Sequence, residues 1–377
     1  MNYETLLVEM EKYKDEMTPM ERMMAYAKGE EVDHIPLSTT GGDVVASLYG
    51  YTIGEYRRSF DVKCKIMEYT KRDLCGSGGA AVLMGLKGIG EALGSELKYP
   101  ENGLDYVSNF VLTDYDMMSE LEERFNPETN PFLQEKLAQI SQYKQHFGDK
   151  FNVATNVAGP LTTAVSIRKT ENVLKDMVKN KEMVHELLSM SVRCSLKWLE
   201  IVTDEFGPTM AGFADPASSM NLISPTQFRE FSKPHLQDLL AGFKRITGRI
   251  PGTHICGRTK AIWQDLVDLG IPSFSVDNCE DLSELKAAVG DKMAISGNVP
   301  PVQVMQNGTI DDVIQSVQQC LIKGSDSPMG YSLALGCQMP VGTPMENIQA
   351  YIYAGRRYGR GAKKGQLCKG LSEEGLI

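Results

Sequence analysis

Hydrophobic and polar positions along the chain alternate between short apolar runs and longer stretches with helical spacing. The short runs predict eight strands separated by helices. In chain order they are Ile35–Ser38, Ala80–Met84, Phe151–Val157, Met210–Ala214, Gly252–Cys256, Ser273–Val276, Met293–Gly297 and Ser332–Gly336. Eight strands with helices between them are the number found in a (β/α)8 barrel, so the predicted fold class is α/β with TIM-barrel architecture.

Helical spacing is clearest in the second half of the chain, where apolar positions recur every three or four residues. These repeats predict helices over Asn172–Met190, Ser191–Glu205, Pro225–Ile246, Thr259–Leu269, Leu282–Val289, Ile310–Ile322 and Pro344–Ala354. These helices lie between or after the predicted strands, with Asn172–Met190 and Ser191–Glu205 together in one interval, as a barrel of alternating strands and helices requires.

Two segments lie outside this alternation. The residues before the first strand predict two helices, because Thr18 and Pro19 are a typical cap and first residue for the second of them. After the second strand, Gly85–Asp114 is a glycine-rich, hairpin-like insertion whose glycines are interpreted as flexible loops. The sequence therefore predicts an N-terminal helical extension over residues 1–30 and a single (β/α)8 barrel domain over residues 31–377.

Composition and charge narrow the functional classes. The chain has 377 residues, of which 42% are hydrophobic and 23% are charged, and its formal net charge is −10. Apart from Lys363 and Lys364 it has no cluster of basic residues, which argues against nucleic-acid binding. No apolar run approaches the roughly 18 residues of a membrane span, and the charged N-terminus lacks the apolar core of a signal peptide, so we expect a cytoplasmic protein. The eight cysteines have no disulfide-framework spacing and are expected to be thiols.

Polar residues follow the predicted strands at the end where barrels of this kind carry their chemistry. They are Asp215 after the fourth strand, His254 and Cys256 at the end of the fifth, Asp277 after the sixth, Asn298 after the seventh and Cys337 after the eighth. Because the carboxyl ends of barrel strands meet at one face, we expect these side chains to surround a common site.

Three of these residues have the chemistry of a zinc site. His254 and Cys256 are two positions apart, so on a strand their side chains point to the same side. Imidazole and thiolate are preferred zinc ligands, and Cys337 brings a second thiolate from a different strand. Three protein ligands leave one tetrahedral position open, which is typical of a catalytic zinc. Magnesium and calcium are disfavoured because they prefer oxygen ligands.

The fourth zinc position has three candidates when no substrate is bound. Asp277 is the nearest by topology, because its strand follows the one that carries His254 and Cys256. Asp215 and a water molecule are the others. A carboxylate at a strand end can equally cap the next helix, and this structural alternative stays open for Asp277.

Several short motifs occur in order along the chain from the second predicted helix onwards. They are Thr18-Pro19-Met20-Glu21-Arg22, Asp33-His34-Ile35-Pro36, Gly159-Pro160, Asp215-Pro216-Ala217, Ile223-Ser224-Pro225, Ser296-Gly297-Asn298-Val299, Gly336-Cys337 and Thr343-Pro344-Met345-Glu346-Asn347. Together they resemble the uroporphyrinogen decarboxylase superfamily and, more closely, its cobalamin-dependent methyltransferase branch. The resemblance covers nearly all of the chain after Thr18.

The two branches of this superfamily differ in their chemistry. The decarboxylases carry an arginine-rich segment near the N-terminus that binds substrate carboxylates, whereas the segment from Leu37 to Asp43 contains no arginine. The decarboxylases also need no metal. His254, Cys256 and Cys337 resemble the zinc ligands of the methylcobamide:thiol methyltransferases, which makes a uroporphyrinogen decarboxylase the weaker alternative.

The resemblance implies methyl transfer between a small zinc-bound substrate and the cobalt of a corrinoid. The D-x-H-x-x-G motif of corrinoid-binding modules is absent, so we expect the corrinoid on a separate protein that docks at the barrel mouth. Asp215 and Asn298 would orient the substrate, or Asp215 would carry a proton. The alternative for Asp215-Pro216 is a turn that starts the next loop.

Both directions of methyl transfer remain open. A methoxylated aromatic donor, as in O-demethylation within anaerobic one-carbon metabolism, is slightly favoured, because the chain is longer than the compact thiol enzymes and its N-terminal third is rich in methionine and aromatic residues. A thiol acceptor of the coenzyme M type is the alternative, and the ligand set favours it. The substrate and the oligomeric state are left open.

Overall fold

The computed structural model describes residues 1–38, 42–74, 81–148 and 151–377. Its strands are β1 (Val32–His34), β2 (Glu96–Lys98), β3 (Tyr106–Asn109), β4 (Ala154–Ala158), β5 (Met210–Ala214), β6 (Thr253–Ile255), β7 (Ser273–Val276), β8 (Ala294–Val299), β9 (Tyr331–Leu335) and β10 (Arg360–Ala362). Its helices are α1 (Tyr3–Met10), α2 (Pro19–Ala27), α3 (Ile53–Arg58), α4 (Phe60–Asp73), α5 (Gly88–Leu93), α6 (Met118–Glu123), α7 (Pro131–Phe147), α8 (Pro160–Ile167), α9 (Thr170–Lys179), α10 (Lys181–Phe206), α11 (Pro225–Gln227), α12 (Lys233–Thr247), α13 (Trp263–Asp268), α14 (Leu282–Val289), α15 (Ile310–Gly324), α16 (Met345–Tyr358) and α17 (Lys369–Glu373).

The chain divides into two compact units. The first unit comprises residues 1–78, 100–103 and 273–377, and the second unit comprises residues 79–99 and 104–272. Buried apolar side chains form a core within each of them. The predicted arrangement of one N-terminal extension and one barrel domain is not tested by this division and stays a prediction.

The second unit contains the parallel strands β4, β5 and β6, with β5 in the middle. Residues 81–84 run beside β4. The N–H of Val82 donates to the carbonyl of Ala154 at 3.0 Å, and the carbonyl of Val82 accepts the Thr155 hydroxyl at 2.7 Å. Residues 81–84 thus lie next to the third predicted strand, but they form no strand themselves, so this part of the second predicted strand is wrong; its first residue, Ala80, lies outside the described residues.

The first unit contains the parallel strands β7, β8 and β9, with β8 in the middle. Residues 35–38 run beside β9, where the N–H of Leu333 donates to Pro36 at 2.9 Å and the N–H of Ser38 donates to Leu333 at 3.0 Å. The first predicted strand therefore lies beside the eighth. Its pairing is irregular because Pro36 has no N–H to donate, and residues 39–41 lie outside the described part of the chain.

The boundary between α9 and α10 differs from the prediction. The sequence pattern predicts a new helix at Ser191, whereas in the structure α9 ends before Asn180, whose φ of −137° and ψ of 53° are not helical. The Ser191 hydroxyl donates to the carbonyl of Leu187 at 2.8 Å inside α10. A serine that bonds to the preceding turn continues a helix instead of capping one, so the predicted start at Ser191 is wrong.

The insertion after the second predicted strand is a hairpin, as expected, but its glycines are not all in loops. Strands β2 and β3 pair in antiparallel fashion. The segment Gly88–Leu93 forms α5, so its interpretation as a flexible loop is wrong. A Cβ on Gly90 would lie 2.4 Å from the hydroxyl of Ser166 in α8. Glycine at this position therefore allows the two helices to approach each other closely.

The longest described helix, α10, forms the centre of the second unit. Trp198 is fully buried there, and its indole N–H donates to the Thr155 hydroxyl at 3.0 Å.

The N-terminal helix α2 begins as predicted, because Thr18 accepts from the N–H of Glu21 in a capping box. Among the described residues, no helix combines the length and the apolar character needed to cross a bilayer.

A histidine pair joins α10 to α12, with His235 buried and His185 half-buried. His185 Nδ1 and His235 Nε2 lie 3.1 Å apart, so one ring donates to the other. The His185 ring also stacks on Phe231, with ring centroids 4.9 Å apart. His235 is 7% exposed, and its Nδ1 has no hydrogen-bond partner among the described residues. Burial, with the neighbouring His185, lowers the pKa of His235.

This histidine pair should make the fold sensitive to acid. An unfolded histidine takes up a proton at a pKa of about 6.5, whereas the folded His235 resists protonation, so stability should fall as the pH drops below about 6.5. We expect His235→Gln to reduce the decrease in melting temperature between about pH 7 and about pH 5, measured by circular dichroism. His146→Gln, at an exposed position, is the control. Equal pH dependence in His235→Gln and the unaltered chain would contradict this expectation.

Candidate metal centre

Strand β6 brings His254 and Cys256 together in the second unit. His254 pairs with Ala214 of β5, and its carbonyl accepts the N–H of Asp215 at 3.0 Å. The two side chains point to the same side, and His254 Nε2 lies 3.1 Å from Cys256 Sγ. Both side chains are half-buried. The predicted adjacency of this imidazole and this thiol is therefore present in the structure.

The loop after β6 is held in one conformation by the loop after β5. Gly257 has a φ of +71°, and a Cβ there would lie 2.4 Å from the Asn221 side-chain oxygen. That oxygen accepts the N–H of Arg258 at 2.7 Å, while the N–H of Met220 donates to the Arg258 carbonyl at 2.9 Å. Only glycine fits both the backbone angle and the space at position 257, so the chain turns sharply just after Cys256.

Cys337 follows β9 in the first unit, one residue after a glycine that has no room for a side chain. The N–H of Gly336 donates to the carbonyl of Val299 in β8 at 2.9 Å. A Cβ on Gly336 would lie 2.4 Å from the backbone nitrogen of Asn278, which follows β7. The half-buried Cys337 is therefore placed by close backbone packing at the ends of β7, β8 and β9.

The three predicted zinc ligands form a group. His254, Cys256 and Cys337 each offer one ligand atom, and these atoms all lie within 4.8 Å of one another. Zinc bonds of about 2.3 Å to sulfur and about 2.0 Å to nitrogen place tetrahedral ligand atoms about 3.6–3.8 Å apart. The spacing and the two-thiol, one-imidazole donor set both fit a zinc ion.

Asp277 and Asn298, predicted as a fourth ligand and a substrate-orienting residue, shape one loop of the first unit. The Asp277 carboxylate accepts the N–H of Cys279 at 3.0 Å. The Asn298 amide donates to the carbonyls of Asp277 at 3.2 Å and Glu280 at 2.8 Å. Asp277 is not a member of the ligand group above. Asp281, not Asp277, caps the next helix. The roles predicted for Asp277 and Asn298 stay predictions.

Asp215 lies behind His254. Its side chain is completely buried, with Oδ1 accepting the N–H of Thr162 at 2.9 Å and Oδ2 accepting the Ser218 hydroxyl at 2.6 Å. Burial raises the pKa of this carboxyl, although both hydrogen bonds oppose the shift. The backbone N–H of Asp215, and not its carboxylate, donates to the His254 carbonyl. Its predicted role in orienting substrate or moving a proton stays a prediction.

Three residues around the site were missed by the sequence analysis. Thr162 lies in the first turn of α8, where helices leave N–H groups free, and Ser218 follows Asp215 by three residues, which is a common hydrogen-bonding distance in turns. Both signals are readable in the sequence. Asn221 has no such signal, because it binds Arg258, 37 residues further along the chain.

A second group of possible metal ligands, Asp15, Asp33 and His34, lies in the first unit. Arg22 donates to both oxygens of Asp33, at 2.6 and 2.7 Å, and Arg356 donates to Asp15 at 2.6 Å. Burial acts to raise the pKa of Asp33, but the hydrogen bond from Arg22, the neighbouring charges of His34 and Arg22 and the His34 N–H together outweigh it and lower that pKa to about 2. Since two arginines already neutralise the carboxylates, we interpret this group as an ion-pair network.

A family model described as uroporphyrinogen decarboxylase (URO-D) matches residues 18–358. The chain belongs to this family. The match begins at Thr18, where the motifs in the sequence begin, and it contains every candidate site residue described above. The match to this family, together with the likeness to a solved structure described below, confirms the predicted superfamily and the predicted (β/α)8 barrel fold.

Curated relatives within the family differ in activity. A methylcobamide:CoM methyltransferase, MtaA, from Methanosarcina barkeri is 28% identical over 223 residues, which are 59% of this chain and 63% of that protein. A methylated-thiol–coenzyme M methyltransferase from Methanosarcina mazei is 23% identical over 344 residues, 90% of this chain and 89% of the relative. A uroporphyrinogen decarboxylase from Synechococcus sp. (strain CC9605) is 24% identical over 238 residues, 61% of this chain and 65% of the relative.

A solved structure also resembles this chain. A methyltransferase from Methanosarcina mazei aligns with a TM-score of 0.71 at 22% sequence identity, covering 90% of this chain and 98% of that one. At this level of identity the likeness shows a shared fold. It agrees with the parallel strands and intervening helices found in both units.

Proposed function

We propose that this chain is a zinc-dependent methyltransferase that moves a methyl group between the cobalt of a corrinoid and a thiol. The observation that carries the proposal is the group formed by His254, Cys256 and Cys337, whose ligand atoms lie within 4.8 Å of one another. The motifs shared with the methyltransferase branch and the curated methylcobamide:CoM methyltransferase relative support the same reaction.

The chain's own residues fit this chemistry. His254, Cys256 and Cys337 would hold the zinc, and two thiolates would balance its charge. When bound, zinc would keep a substrate thiol deprotonated near neutral pH. The hydrogen bond from Asp215 to the His254 carbonyl and the sharp turn at Gly257 hold the imidazole and the Cys256 thiol in place before substrate arrives.

The transfer balances without any other reactant. The sulfur of the substrate forms a new bond to the methyl carbon while the carbon–cobalt bond breaks. The electron pair of the broken carbon–cobalt bond stays on cobalt, which is thereby reduced from cobalt(III) to cobalt(I). The thiol proton is released to solvent when the sulfur binds. No residue needs to donate a proton to the leaving group, because the leaving group is the corrinoid itself.

The direction towards a thiol has the stronger support. Two of the relatives described above are named for transfer involving coenzyme M, which is a thiol. The direction from a methoxylated aromatic donor, slightly favoured by the chain's length and composition, lacks comparable support. A uroporphyrinogen decarboxylase reaction is disfavoured because the segment Leu37–Asp43 contains no arginine to bind substrate carboxylates.

We further propose that a separate corrinoid protein supplies the cobalt. The absence of a D-x-H-x-x-G motif from these 377 residues supports a corrinoid carried by another protein. Gene neighbourhood provides an independent check, since an adjacent gene for a corrinoid protein would support this partnership.

The proposal predicts demethylation of methylcobalamin that depends on both zinc and a thiol. Zinc-loaded protein is incubated with methylcobalamin and 2-mercaptoethanesulfonate, and the cobalt absorption spectrum is followed under anaerobic conditions. We expect loss of the methylcobalamin spectrum, and no reaction after zinc is removed with a chelator. A panel of methoxylated aromatics with cob(I)alamin tests the opposite direction, and uroporphyrinogen tests decarboxylation. Turnover of either, without any reaction with a thiol, would overturn the proposed function.

A further inference from the structure

An exposed arginine without a protein partner lies two residues after Cys256. Within the described part of the chain, the Arg258 side chain makes no ion pair and no hydrogen bond, although its backbone N–H and carbonyl are both engaged. Except for Arg249, every other arginine pairs with a carboxylate. Arg258 differs from the other unpaired arginine, Arg249, because it lies two residues from a proposed zinc ligand.

The backbone of Arg258 is fixed more firmly than that of an ordinary exposed loop residue. Asn221 accepts its N–H at 2.7 Å, and Met220 donates to its carbonyl at 2.9 Å. Gly257, at φ +71°, sets the direction in which the chain leaves β6. A long cationic side chain is therefore anchored at its base and free at its charged end.

The two-residue separation between Arg258 and Cys256 limits how far apart these residues can lie. Two residues of chain span at most about 7 Å, so the Arg258 Cα lies within that distance of the Cys256 Cα. An arginine side chain has a similar reach. A thiol bound beside Cys256 and carrying an acidic group a few bonds away would place that group within range of the Arg258 guanidinium.

The charge of the ligand set makes such a residue useful. Two thiolates cancel the charge of a zinc ion, so the metal centre alone gives no electrostatic preference for an anionic substrate. A guanidinium forms strong, often bidentate hydrogen bonds with sulfonate, phosphate or carboxylate groups. An anion-binding residue next to the metal would therefore distinguish an acidic thiol from a neutral one.

We propose that Arg258 is the residue that selects an anionic thiol, by binding the acidic group of the substrate whose sulfur is held by His254, Cys256 and Cys337. This inference rests on the proposed function and identifies a specificity residue within the same site. Two observations support the inference: the Arg258 guanidinium is unpaired among the described residues, and the loop after β6 is anchored by hydrogen bonds.

The experiment compares two thiols with the same two-carbon spacer. Native protein and the variants Arg258→Gln and Arg258→Lys are assayed with methylcobalamin and either 2-mercaptoethanesulfonate or 2-mercaptoethanol. A hydrogen bond to a charged group is worth roughly a tenfold change in affinity or more. We expect Arg258→Gln to lower the ratio of kcat/KM for the sulfonate over the neutral thiol about tenfold, mainly through KM, and Arg258→Lys to restore part of that ratio.

The matched control is Arg249→Gln. Arg249 is also exposed and unpaired among the described residues, but it precedes β6 and so lies at the opposite end of that strand from Cys256. Its replacement should leave the ratio unchanged. Zinc content and melting temperature are measured for each variant, so that a loss of metal or of folding is recognised.

The outcomes separate this inference from the proposed function. If the native protein methylates both thiols but Arg258→Gln leaves their ratio unchanged, Arg258 does not select the anion and the inference is wrong. An equal loss for both thiols would assign Arg258 to corrinoid binding and would also overturn it. If the native, zinc-loaded protein methylates neither thiol, the proposed function itself fails.

Discussion

Cys256→Ser and Cys337→Ser should each lose most of the bound zinc and most of the methyl-transfer activity. Serine is nearly the size of cysteine, but its hydroxyl stays protonated at neutral pH and is a poor zinc ligand. The loss of one of three protein ligands should lower activity by at least about 100-fold, because even residues that only support a ligand commonly cost 10- to 100-fold. Zinc is measured by mass spectrometry, and methyl transfer by the methylcobalamin spectrum.

Cys279→Ser is the matched control for these two variants. Cys279 lies near the end of β7, and it is not a member of the ligand group. Burial and the nearby Asp277 carboxylate raise the pKa of its thiol to about 11, so it stays protonated at neutral pH. This variant should keep its zinc. Full zinc retention in both Cys256→Ser and Cys337→Ser would exclude the proposed metal centre.

Asp215→Ala should cause the largest loss of stability near the site. Alanine would leave the N–H of Thr162 without its acceptor in a completely buried position, whereas the Ser218 hydroxyl could still donate to Ser232, 2.9 Å away. An unsatisfied buried group costs about 1–3 kcal/mol, so we expect a loss of about 1–3 kcal/mol in the free energy of unfolding. Urea denaturation followed by circular dichroism measures the difference.

Asp215→Asn distinguishes a positioning role from a proton-transfer role. Asparagine keeps the shape and one carbonyl acceptor for Thr162, and the Ser218 hydroxyl can turn to accept from the new amide while it donates to Ser232, 2.9 Å away. If Asp215 only positions His254, Asp215→Asn should be more stable than Asp215→Ala and should retain activity within about tenfold. A stable, zinc-loaded but inactive Asp215→Asn would instead support proton transfer by this carboxyl.

Much of the fold could be predicted from the sequence because parallel strands buried on both faces are nearly continuous apolar runs. Met210–Ala214 and Ser273–Val276 are the predicted strands that the structure reproduces at both ends. The first two strands were harder to define. Pro36 interrupts the hydrogen-bonding pattern in one of them, and the described part of the other forms no strand, although Val82 contacts β4.

Helix ends and glycines were the less predictable features. Ser191 has the residue type of a cap, but it lies inside α10 because its hydroxyl bonds to Leu187. Gly90 has the residue type of a loop, but it lies inside α5 because Ser166 leaves no space for a side chain. Both positions depend on neighbours that are distant or buried, and local sequence patterns do not contain that information.

The identity of the candidate metal ligands followed from residue chemistry alone, since an imidazole and a thiol two positions apart on a strand must share one side. What the other polar residues do was decided by tertiary structure. Asp215 has the same sequence signature as a catalytic carboxylate, but Thr162 and Ser218 occupy both of its oxygens in a buried position. Arg258 gave no sequence signal, because an arginine is unusual only when its surroundings provide no carboxylate. A sequence specifies which atoms are available, whereas partners, burial and unpaired charge depend on which distant residues the fold brings together.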